Sequence, residues 1–367
     1  MSTPRFGVWA PVYGNHGARN HPHDPPDAGY LRTRDLLRRA ERLGYDATLV
    51  AQHVIHPSNT ADDVLEAWST LAALAEATER IELIGAIKPL LMNPLLFAKF
   101  STNVGAISGG RLAVNVVSGW FLPELEALGV AVPDHDDRYR YTGDWLEAVL
   151  ALWDGQRVDI AGRGGHPALI HPTPTPRPTV YFGGESEPAR ALAARSADVF
   201  FVNGRPLNQT VALIGDLRSR PRLKSPLRFG LSAFVITRDT EAEAIAELDH
   251  LQQLVDAEQR PEIASGADPA TQMYKVLSGV RRVGSNGGTL AGLVGSHEQV
   301  IERIEAFHRA GVDLFMLQFQ PLDAELERFA RNVIPHFTTN PHSSGQGTIP
   351  HDSPYDTAPD GAAAALR

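Results

Sequence analysis

Residues 108–120 read SGGRLAVNVVSGW, and this stretch indicates the fold class. Its centre, Leu112 to Val117, is apolar apart from Asn115, with a glycine pair before it and small polar residues after it. A short apolar run between turn residues is typical of a strand buried on both faces, as in a parallel sheet. The helical pattern of Leu95 to Ile107 comes just before it, so the sequence predicts a helix followed by a buried strand.

The same alternation of helix and strand patterns continues on both sides. Strand composition recurs at Phe6 to Ala10, Ala47 to Ala51, Ile81 to Ile87, Val180 to Gly183, Val199 to Val202, Phe229 to Ile236 and Leu314 to Gln318. Helical patterns lie between them at Thr33 to Leu43, Val64 to Thr78, Tyr141 to Trp153, Pro188 to Ala197 and His297 to Ala310. Alternating β and α units indicate a parallel sheet, and eight strands are enough to close a barrel. We therefore expect an α/β protein with a (β/α)8 TIM barrel.

Three stretches interrupt the alternation: Pro11 to Gly29, Asp154 to Thr179 and Arg260 to Gly295. The first predicts a long loop, the second a hairpin-like insertion and the third a segment with glycine-rich turns. In a barrel, long segments after strands gather at the carboxyl-terminal rim, where active sites are built. The end of the chain is rich in Pro, Ser, Gly and Ala, so we expect one barrel domain over residues 1–337 and a disordered tail over residues 338–367.

The composition narrows the functional classes. The 367 residues carry 34 Lys and Arg against 43 Asp and Glu, a net charge of −9, without a basic run. A nucleic-acid partner is not expected, because phosphate binding depends on clustered cations. The lack of cysteine excludes disulfides, thiolate metal sites and cysteine nucleophiles, so redox chemistry would need a bound cofactor. With no signal peptide and no apolar run long enough for a membrane span, we expect a soluble cytoplasmic protein.

The sequence Gly183-Gly184-Glu185-Ser186 follows a predicted strand and begins a predicted helix. Backbone N–H groups in such a turn, the Ser186 hydroxyl and the helix dipole can together bind a phosphate. The same residues can equally form a tight glycine turn in which Ser186 only caps the helix. Glu185 would repel a phosphate if its carboxylate pointed toward it. The motif alone leaves both readings open.

Further polar residues stand where predicted strands and helices end. Asn115 and Ser118 lie at the carboxyl end of their strand, and buried polar groups there need a hydrogen-bond partner, which is either the protein itself or a ligand. Arg138 and Tyr139 are adjacent before a helix, where they could hold an anion by charge and hydroxyl or form part of a charged surface.

His53 follows the second predicted strand, and His56 follows it closely. A histidine at the barrel rim can act as an acid or a base, but it can also be a hydrogen-bonded loop residue. The histidines lack the spacing of a metal site, and we expect no metal. The chain contains neither a Gly-x-Ser-x-Gly elbow nor a Walker loop, so the sequence does not support a serine hydrolase or a P-loop enzyme.

Three motifs taken together resemble one family. They are Ser108-Gly109-Gly110-Arg111 running into Asn115 to Phe121, then His135-Asp136-Asp137-Arg138-Tyr139, and then Tyr181 to Ser186. Their order and spacing are similar to those of the bacterial luciferase-like monooxygenases, two-component enzymes that use reduced flavin. The resemblance extends from about Phe6 to Phe337.

The resemblance implies a luciferase-like barrel with FMN at its carboxyl-terminal rim, a separate NAD(P)H:flavin reductase that supplies FMNH2, and O2 as co-substrate. It places the backbone of Ala51 and Gln52 against the flavin ring, and Asn115 and Glu124 at the ring edge or ribityl chain. Relatives hold the FMN phosphate at the positions of Arg138, Tyr139 and Ser186, beside Gly184. Glu185 stands where a small residue is common.

Within the family, Ser118 to Phe121 and Ala233 to Ala244 are most similar to the dimethyl-sulfone monooxygenases. Ser232, Phe234 and Gln320 replace an Arg, a His and a Tyr of the alkanesulfonate monooxygenases. A buried anion without its paired cation is costly, so a small neutral sulfone is the expected organosulfur substrate, cleaved at its C–S bond to a sulfinate and an aldehyde.

Other substrates and functions stay open. Arg281 and Arg282 could replace the missing cations, which keeps an alkanesulfonate as an alternative substrate. Gly119-Trp120 and Pro123-Glu124 also resemble the pyrimidine monooxygenases. A deazaflavin F420-dependent hydride-transfer enzyme and a non-catalytic flavin-binding protein are further alternatives. We expect His53 to manage protons, and a homodimer or homotetramer as in relatives.

Overall fold

Eight parallel strands close into a barrel. The computed structural model describes residues 3–24, 26–57, 61–160, 166–222, 224–258 and 283–339. The barrel strands are β1 Arg5–Trp9, β2 Ala47–Val50, β3 Glu82–Ile87, β4 Leu112–Val117, β5 Thr179–Gly183, β6 Val199–Val202, β7 Arg228–Phe234 and β10 Val312–Gln318. Their order around the barrel is β1-β10-β7-β6-β5-β4-β3-β2. The predicted TIM barrel and its eight strands are confirmed.

Helices surround the barrel. Their bounds are α1 Tyr30–Arg42, α2 Ala67–Ala77, α3 Pro94–Ile107, α4 Leu122–Ala127, α5 His135–Trp153, α6 Glu187–Ser196, α7 Leu207–Ser219, α8 Glu241–Ala257, α9 His297–Ala310, α10 Leu322–Asn332 and α11 Ile334–Thr339. The prediction for α5 begins six residues late, at Tyr141, because it missed the cap: the Asp134 carboxylate accepts the Asp137 backbone N–H at 2.8 Å. Throughout the described ranges, the helices are too short or too polar to cross a membrane.

A small second sheet departs from the prediction. The expected single strand Phe229 to Ile236 is divided at Val235, whose backbone N–H donates to the Gln318 carbonyl at 3.0 Å. The chain then enters β8 Ile236–Arg238, which pairs in parallel with β9 Val294–Ser296. These two strands and α8 enclose an apolar cluster beside the barrel: Phe234, Ile236, Ala244, Leu251, Val283 and Val294. The split was not visible from the sequence because the pairing partner lies more than 50 residues away.

The predicted loop Pro11 to Gly29 follows β1 and contains no helix or strand in its described part. The Gln320 side chain holds it against the barrel: its Oε1 accepts the Ala18 N–H at 2.6 Å, and its Nε2 donates to the Ala18 carbonyl at 2.7 Å. Because this side chain is only 1% exposed, the loop is fixed by two buried hydrogen bonds.

The other two insertions differ in how much of them the structure describes. In the segment Asp154 to Thr179, an antiparallel bridge joins Val158 and Ala168, which fits the predicted hairpin. The segment Arg260 to Gly295 lies outside the described residues up to residue 282. From there it forms a short 3-10 helix, Gly288–Ala291, and part of β9. The last helix includes Thr338 and Thr339, and residues 340–367 of the predicted tail lie outside the described residues.

Candidate active site

A cavity of about 190 Å3 opens at the carboxyl ends of the barrel strands. Residues at or just after the ends of β1 to β6 form its wall. Ser285 and Asn286, between α8 and β9, complete it. The described residues that line it are Trp9, Tyr13, Leu49, Ala51, Gln52, His53, Pro57, Ala86, Lys88, Asn115, Val117, Trp120, Gly183, Phe201, Asn203, Ser285 and Asn286.

Four of the predicted site residues line this cavity: Ala51, Gln52, His53 and Asn115. All four are buried. The Gln52 amide oxygen accepts the Lys88 backbone N–H at 2.7 Å, which ties the end of β2 to the end of β3. The Asn115 Oδ1 atom is buried and has no hydrogen-bond partner among the described residues. An amide left in this state at a cavity wall offers a contact to a ligand.

A buried ion pair lies against His53. Lys88 follows β3 and donates from Nζ to Glu124 Oε2 on α4, and these two residues are 2% and 0% exposed. The other carboxylate oxygen of Glu124 accepts the Val54 backbone N–H at 2.5 Å. His53 Nδ1 lies 3.5 Å from Lys88 Nζ and 3.6 Å from Glu124 Oε1. Glu124, predicted to contact the flavin, therefore lies behind the cavity wall with both oxygens engaged.

The three groups shift one another's pKa values. Burial, together with the charge of Lys88, lowers the pKa of His53 to about 4, so the imidazole is neutral at pH 7. Burial also opposes ionisation of Glu124, but its hydrogen bond with His53 and the charge of Lys88 outweigh burial and lower its pKa to about 2. Burial lowers the pKa of Lys88, while Glu124 opposes that shift. The site thus holds a carboxylate, its paired lysine and a neutral histidine.

Lys88 was not among the predicted site residues. Its position directly after an apolar strand was the available signal, because a lysine at a barrel rim points into the site or into solvent. What the sequence could not show was its pairing with Glu124, since 36 residues separate the two.

A second group of predicted residues lies next to the cavity, beyond Gly183. A methyl group built on Gly184 would lie 3.0 Å from the Tyr139 hydroxyl and 3.2 Å from Ala189 Cβ, and φ of Gly184 is +138°. Ser186 is the N-cap of α6, yet its hydroxyl makes no capping hydrogen bond, and its Oγ is buried without a partner in the described part of the chain. Arg138, one residue before Tyr139 on α5, is 1% exposed.

Glu185 is turned away from this group. Its Oε1 accepts the Asn203 backbone N–H at 3.0 Å, and its Oε2 forms an ion pair with Arg205. The carboxylate is 4% exposed, so its charge is balanced by Arg205 in a buried contact. The repulsion that Glu185 would exert on a phosphate is thereby reduced.

Two aromatic residues of the cavity wall, Trp9 and Tyr13, contact a second buried histidine, His16. Trp9 Nε1 donates to Ser232 Oγ at 3.2 Å, and the Trp9 ring lies 5.9 Å from that of His16. Tyr13 stands edge to face with both His16, at 5.1 Å, and His53, at 5.9 Å. Tyr13 therefore contacts both His16 and His53, of which only His53 lies beside the ion pair.

Ser232, Phe234 and Gln320 are absent from the described cavity wall. Ser232 accepts the Trp9 hydrogen bond, Phe234 packs in the cluster beside the barrel, and Gln320 holds Ala18. Arg281 and Arg282 lie outside the described residues. In the part of the chain that the structure covers, no three His, Asp or Glu side chains are grouped to hold a metal.

Two asparagines on the cavity wall were not predicted. Asn203 follows β6, and Asn286 belongs to a turn in the described part of the third insertion, Arg260 to Gly295. Asn286 has φ of +49°, the only positive φ of a residue other than glycine in the described ranges. Its carbonyl accepts the Gly204 N–H at 2.8 Å, and Ser285 beside it exchanges two hydrogen bonds with Gln318. The turn is thus held firmly where its amide can meet a ligand.

Comparison with known proteins agrees with this geometry. A family model described as luciferase-like monooxygenase matches residues 5–314. An FMNH2-dependent dimethylsulfone monooxygenase of Pseudomonas putida is 33% identical over 91% of this chain and 96% of its own length. One from Pseudomonas fluorescens (strain Pf0-1) is 31% identical over 90% and 93%. A solved structure of riboflavin lyase with modified FMN and riboflavin has a TM-score of 0.74 at 20% identity, covering 95% of this chain and 94% of that chain. The chain belongs to the luciferase-like monooxygenase family.

Proposed function

We propose that this protein is an FMNH2-dependent monooxygenase that cleaves a C–S bond of dimethyl sulfone or a similar small sulfone. For dimethyl sulfone the balanced reaction consumes FMNH2 and O2 and yields methanesulfinate, a proton, formaldehyde, FMN and water. The observation that carries the choice of substrate is the charge of the cavity wall. Among the described residues that line it, Lys88 is the only Lys or Arg, and Glu124 neutralises it.

The residues present fit a flavin. The flavin ring is flat and largely apolar with polar edges, and the cavity offers Ala51 and Val117 beside the amides of Gln52 and Asn115. The buried Asn115 Oδ1 has no partner among the described residues and could accept a hydrogen bond from the ring. We assign Ala51, Gln52 and Asn115 to the ring, and we assign Glu124 a role through Lys88 and His53.

The FMN phosphate would lie at the start of α6. Ser186 Oγ supplies a hydroxyl that caps no backbone group, and the helix N-terminus adds unpaired N–H groups and a partial positive charge. Tyr139 contributes a hydroxyl beside Gly184, where a side chain would collide with it. Arg138 supplies the cation. Charge-assisted hydrogen bonds to a phosphate are stronger than neutral ones, which suits this set of residues.

When bound, reduced flavin supplies the electrons that activate O2. The chain's own part is to bind, to exclude water and to manage a proton. Trp9, Trp120 and Phe201 give the cavity an apolar wall, and the loop pinned by Gln320 follows β1 at the same rim. His53 is neutral at pH 7 with Nδ1 beside the ion pair, so Nε2 is the nitrogen that can exchange a proton with a ligand.

A sulfone fits the wall better than a sulfonate. Sulfone oxygens accept hydrogen bonds but carry no net charge, and Asn203 and Asn286 provide neutral donors. A sulfonate is an anion at neutral pH and would need an uncompensated cation. The positions that hold Arg, His and Tyr in the sulfonate enzymes are taken up here by structural contacts of Ser232, Phe234 and Gln320.

The reaction also requires partners. A separate NAD(P)H:flavin reductase would supply FMNH2, and we place the reaction in the cytoplasm because NAD(P)H is available there. We also propose that this chain assembles as a homodimer or homotetramer.

The proposal is tested with purified protein, FMN, a flavin reductase and NADH. We expect methanesulfinate and formaldehyde from dimethyl sulfone in equal amounts. Parallel reactions contain methanesulfonate, scored for sulfite, and uracil, scored for ring opening. A fourth reaction without a sulfur or nitrogen substrate measures uncoupled oxygen consumption. Product from methanesulfonate or uracil alone, or oxygen uptake without any product, would overturn the sulfone assignment. In a separate thermal-shift assay, protection of the protein against unfolding by F420 instead of FMN would overturn the assignment of the cofactor.

The cofactor site has its own test. Ser186→Ala should weaken FMN binding by roughly tenfold to a hundredfold, because a hydrogen bond to a charged group contributes about 1.5–3 kcal/mol. Gly184→Ala should weaken it further, since its methyl group would press on Tyr139 at a positive φ. Quenching of FMN fluorescence measures both. Ser219→Ala on the exposed end of α7 is the matched control, and equal affinity in all three variants would place the phosphate elsewhere.

A further inference from the structure

Lys88 presents the cavity with a cation that has no counter-charge on the wall itself. The residue is 2% exposed, and the described residues of the wall include neither Asp nor Glu. His53 is neutral, so it does not change the balance. A protonated Lys88 without a counter-ion would give the cavity a positive potential in a medium of low dielectric constant, where a charge acts strongly.

Glu124 balances that charge from behind the wall. It lies on α4, is 0% exposed, and takes the Lys88 ammonium and the Val54 N–H as its hydrogen-bond donors. Replacing a buried ion pair by well-packed apolar side chains of similar volume often leaves stability unchanged or raises it. Stability therefore does not explain why these two charges are kept next to the cavity.

The two candidate substrate classes differ mainly in charge. Methanesulfonate is dimethyl sulfone with one methyl group replaced by a negatively charged oxygen of similar size. A cavity shaped for one would accept the shape of the other, because a change of one small group alters binding only modestly. The amides of Asn203 and Asn286 can donate to the sulfonyl oxygens of both. Charge is what remains to distinguish them.

We propose that Glu124 neutralises Lys88 so that the cavity admits a neutral sulfone and discriminates against the anionic sulfonate. This inference rests on the proposed function and adds a residue that determines specificity. The charged and titratable groups that face the pair are His53 directly and, beyond it, His56 and Tyr13 from the loops after β2 and β1. All are neutral near pH 7, since burial lowers the pKa of His56 and raises that of Tyr13 to about 12.

The test compares the FMN-loaded wild type with Glu124→Gln and with the double variant Lys88→Met/Glu124→Gln. Each sample contains dimethyl sulfone and methanesulfonate together, whose methyl signals are resolved by saturation-transfer NMR, so binding is read without turnover. In Glu124→Gln, the affinity for methanesulfonate relative to dimethyl sulfone should rise at least tenfold. The double variant should lose this gain, because it also removes the cation.

A folded Glu124→Gln protein whose ratio stays within twofold of the wild type would overturn the inference, and so would a gain that persists in the double variant. If Glu124→Gln does not fold, Pro57→Lys places a cation on a half-buried part of the wall that has no role in the proposed binding, and the same rise in the ratio is expected. An unchanged ratio there would refute the charge argument. Failure of dimethyl sulfone to bind or react in the wild type would instead refute the proposed function.

Discussion

His53 and His16 both contact Tyr13, and each meets its ring edge to face. Both are buried, and burial is the main cause that lowers the pKa of each to about 4. A nearby cation adds to burial in both cases, Arg32 for His16 and Lys88 for His53, and both histidines contact aromatic rings. Of the two, only His53 also lies beside a buried carboxylate, Glu124, and on the cavity wall.

The largest effect is expected from breaking the ion pair beside His53. Lys88→Met leaves the fully buried Glu124 carboxylate without its cation, which should lower the free energy of unfolding by about 3–5 kcal/mol. Denaturant unfolding measures the loss. Lys88→Met/Glu124→Gln should recover most of it, because neither charge then remains. A single variant as stable as the wild type would show that Glu124 does not depend on Lys88 for its charge.

Acid should destabilise the protein through both histidines. In the unfolded chain each binds a proton near pH 6.5, but in the fold each stays neutral until about pH 4, so protons favour the unfolded state. The free energy of unfolding is therefore unaffected by either histidine above pH 6.5. It falls between pH 6.5 and pH 4, by about 3 kcal/mol per histidine.

The comparison of the two histidines is sharpened by measuring unfolding from pH 7 to pH 4 in the wild type, His53→Gln and His16→Gln. Each variant should show a shallower fall in stability than the wild type, and only His53→Gln should also slow product formation, by about 100-fold. Equal pH slopes in all three proteins would contradict the assignment of both groups.

The smallest effect is expected from Tyr13. Tyr13→Phe removes the hydrogen bond between the Tyr13 hydroxyl and His16 Nδ1, at 3.2 Å, and keeps the ring that both histidines contact. The free energy of unfolding should fall by about 1 kcal/mol. In NMR spectra the ring signals of His16 should shift more than those of His53. A larger shift of the His53 signals would show that the hydroxyl interacts mainly with His53 instead.

Most of the barrel could be predicted because its strands are local patterns. Leu112 to Val117 and the seven runs like it are short and apolar, and each is bounded by turn residues. The division at Val235 could not be predicted, because it depends on Gln318 and Leu293, which come much later in the chain. The start of α5 depends on one cap, Asp134, which lies outside the apolar periodicity of the helix.

Those site residues whose position depends only on the end of one strand or helix could be predicted from the sequence. His53 and Asn115 follow or end strands, and Ser186 begins a helix, so their positions at the rim follow from the barrel. The role of Lys88 and Glu124 depends on their contact with each other, which the sequence does not show. The contact between Glu185 and Arg205 likewise depends on two different rim loops, and it determines which way the carboxylate points.

The order of strands around the barrel has a consequence for how the protein is made. β10 is the last barrel strand in the chain, yet it lies between β1 and β7, and Arg5 pairs with Leu314. A nascent chain on the ribosome therefore carries β1 and β7 with open edges until Gln318 has emerged. Such edges are surfaces for unwanted pairing, so the growing chain is exposed to aggregation until β10 has joined the barrel.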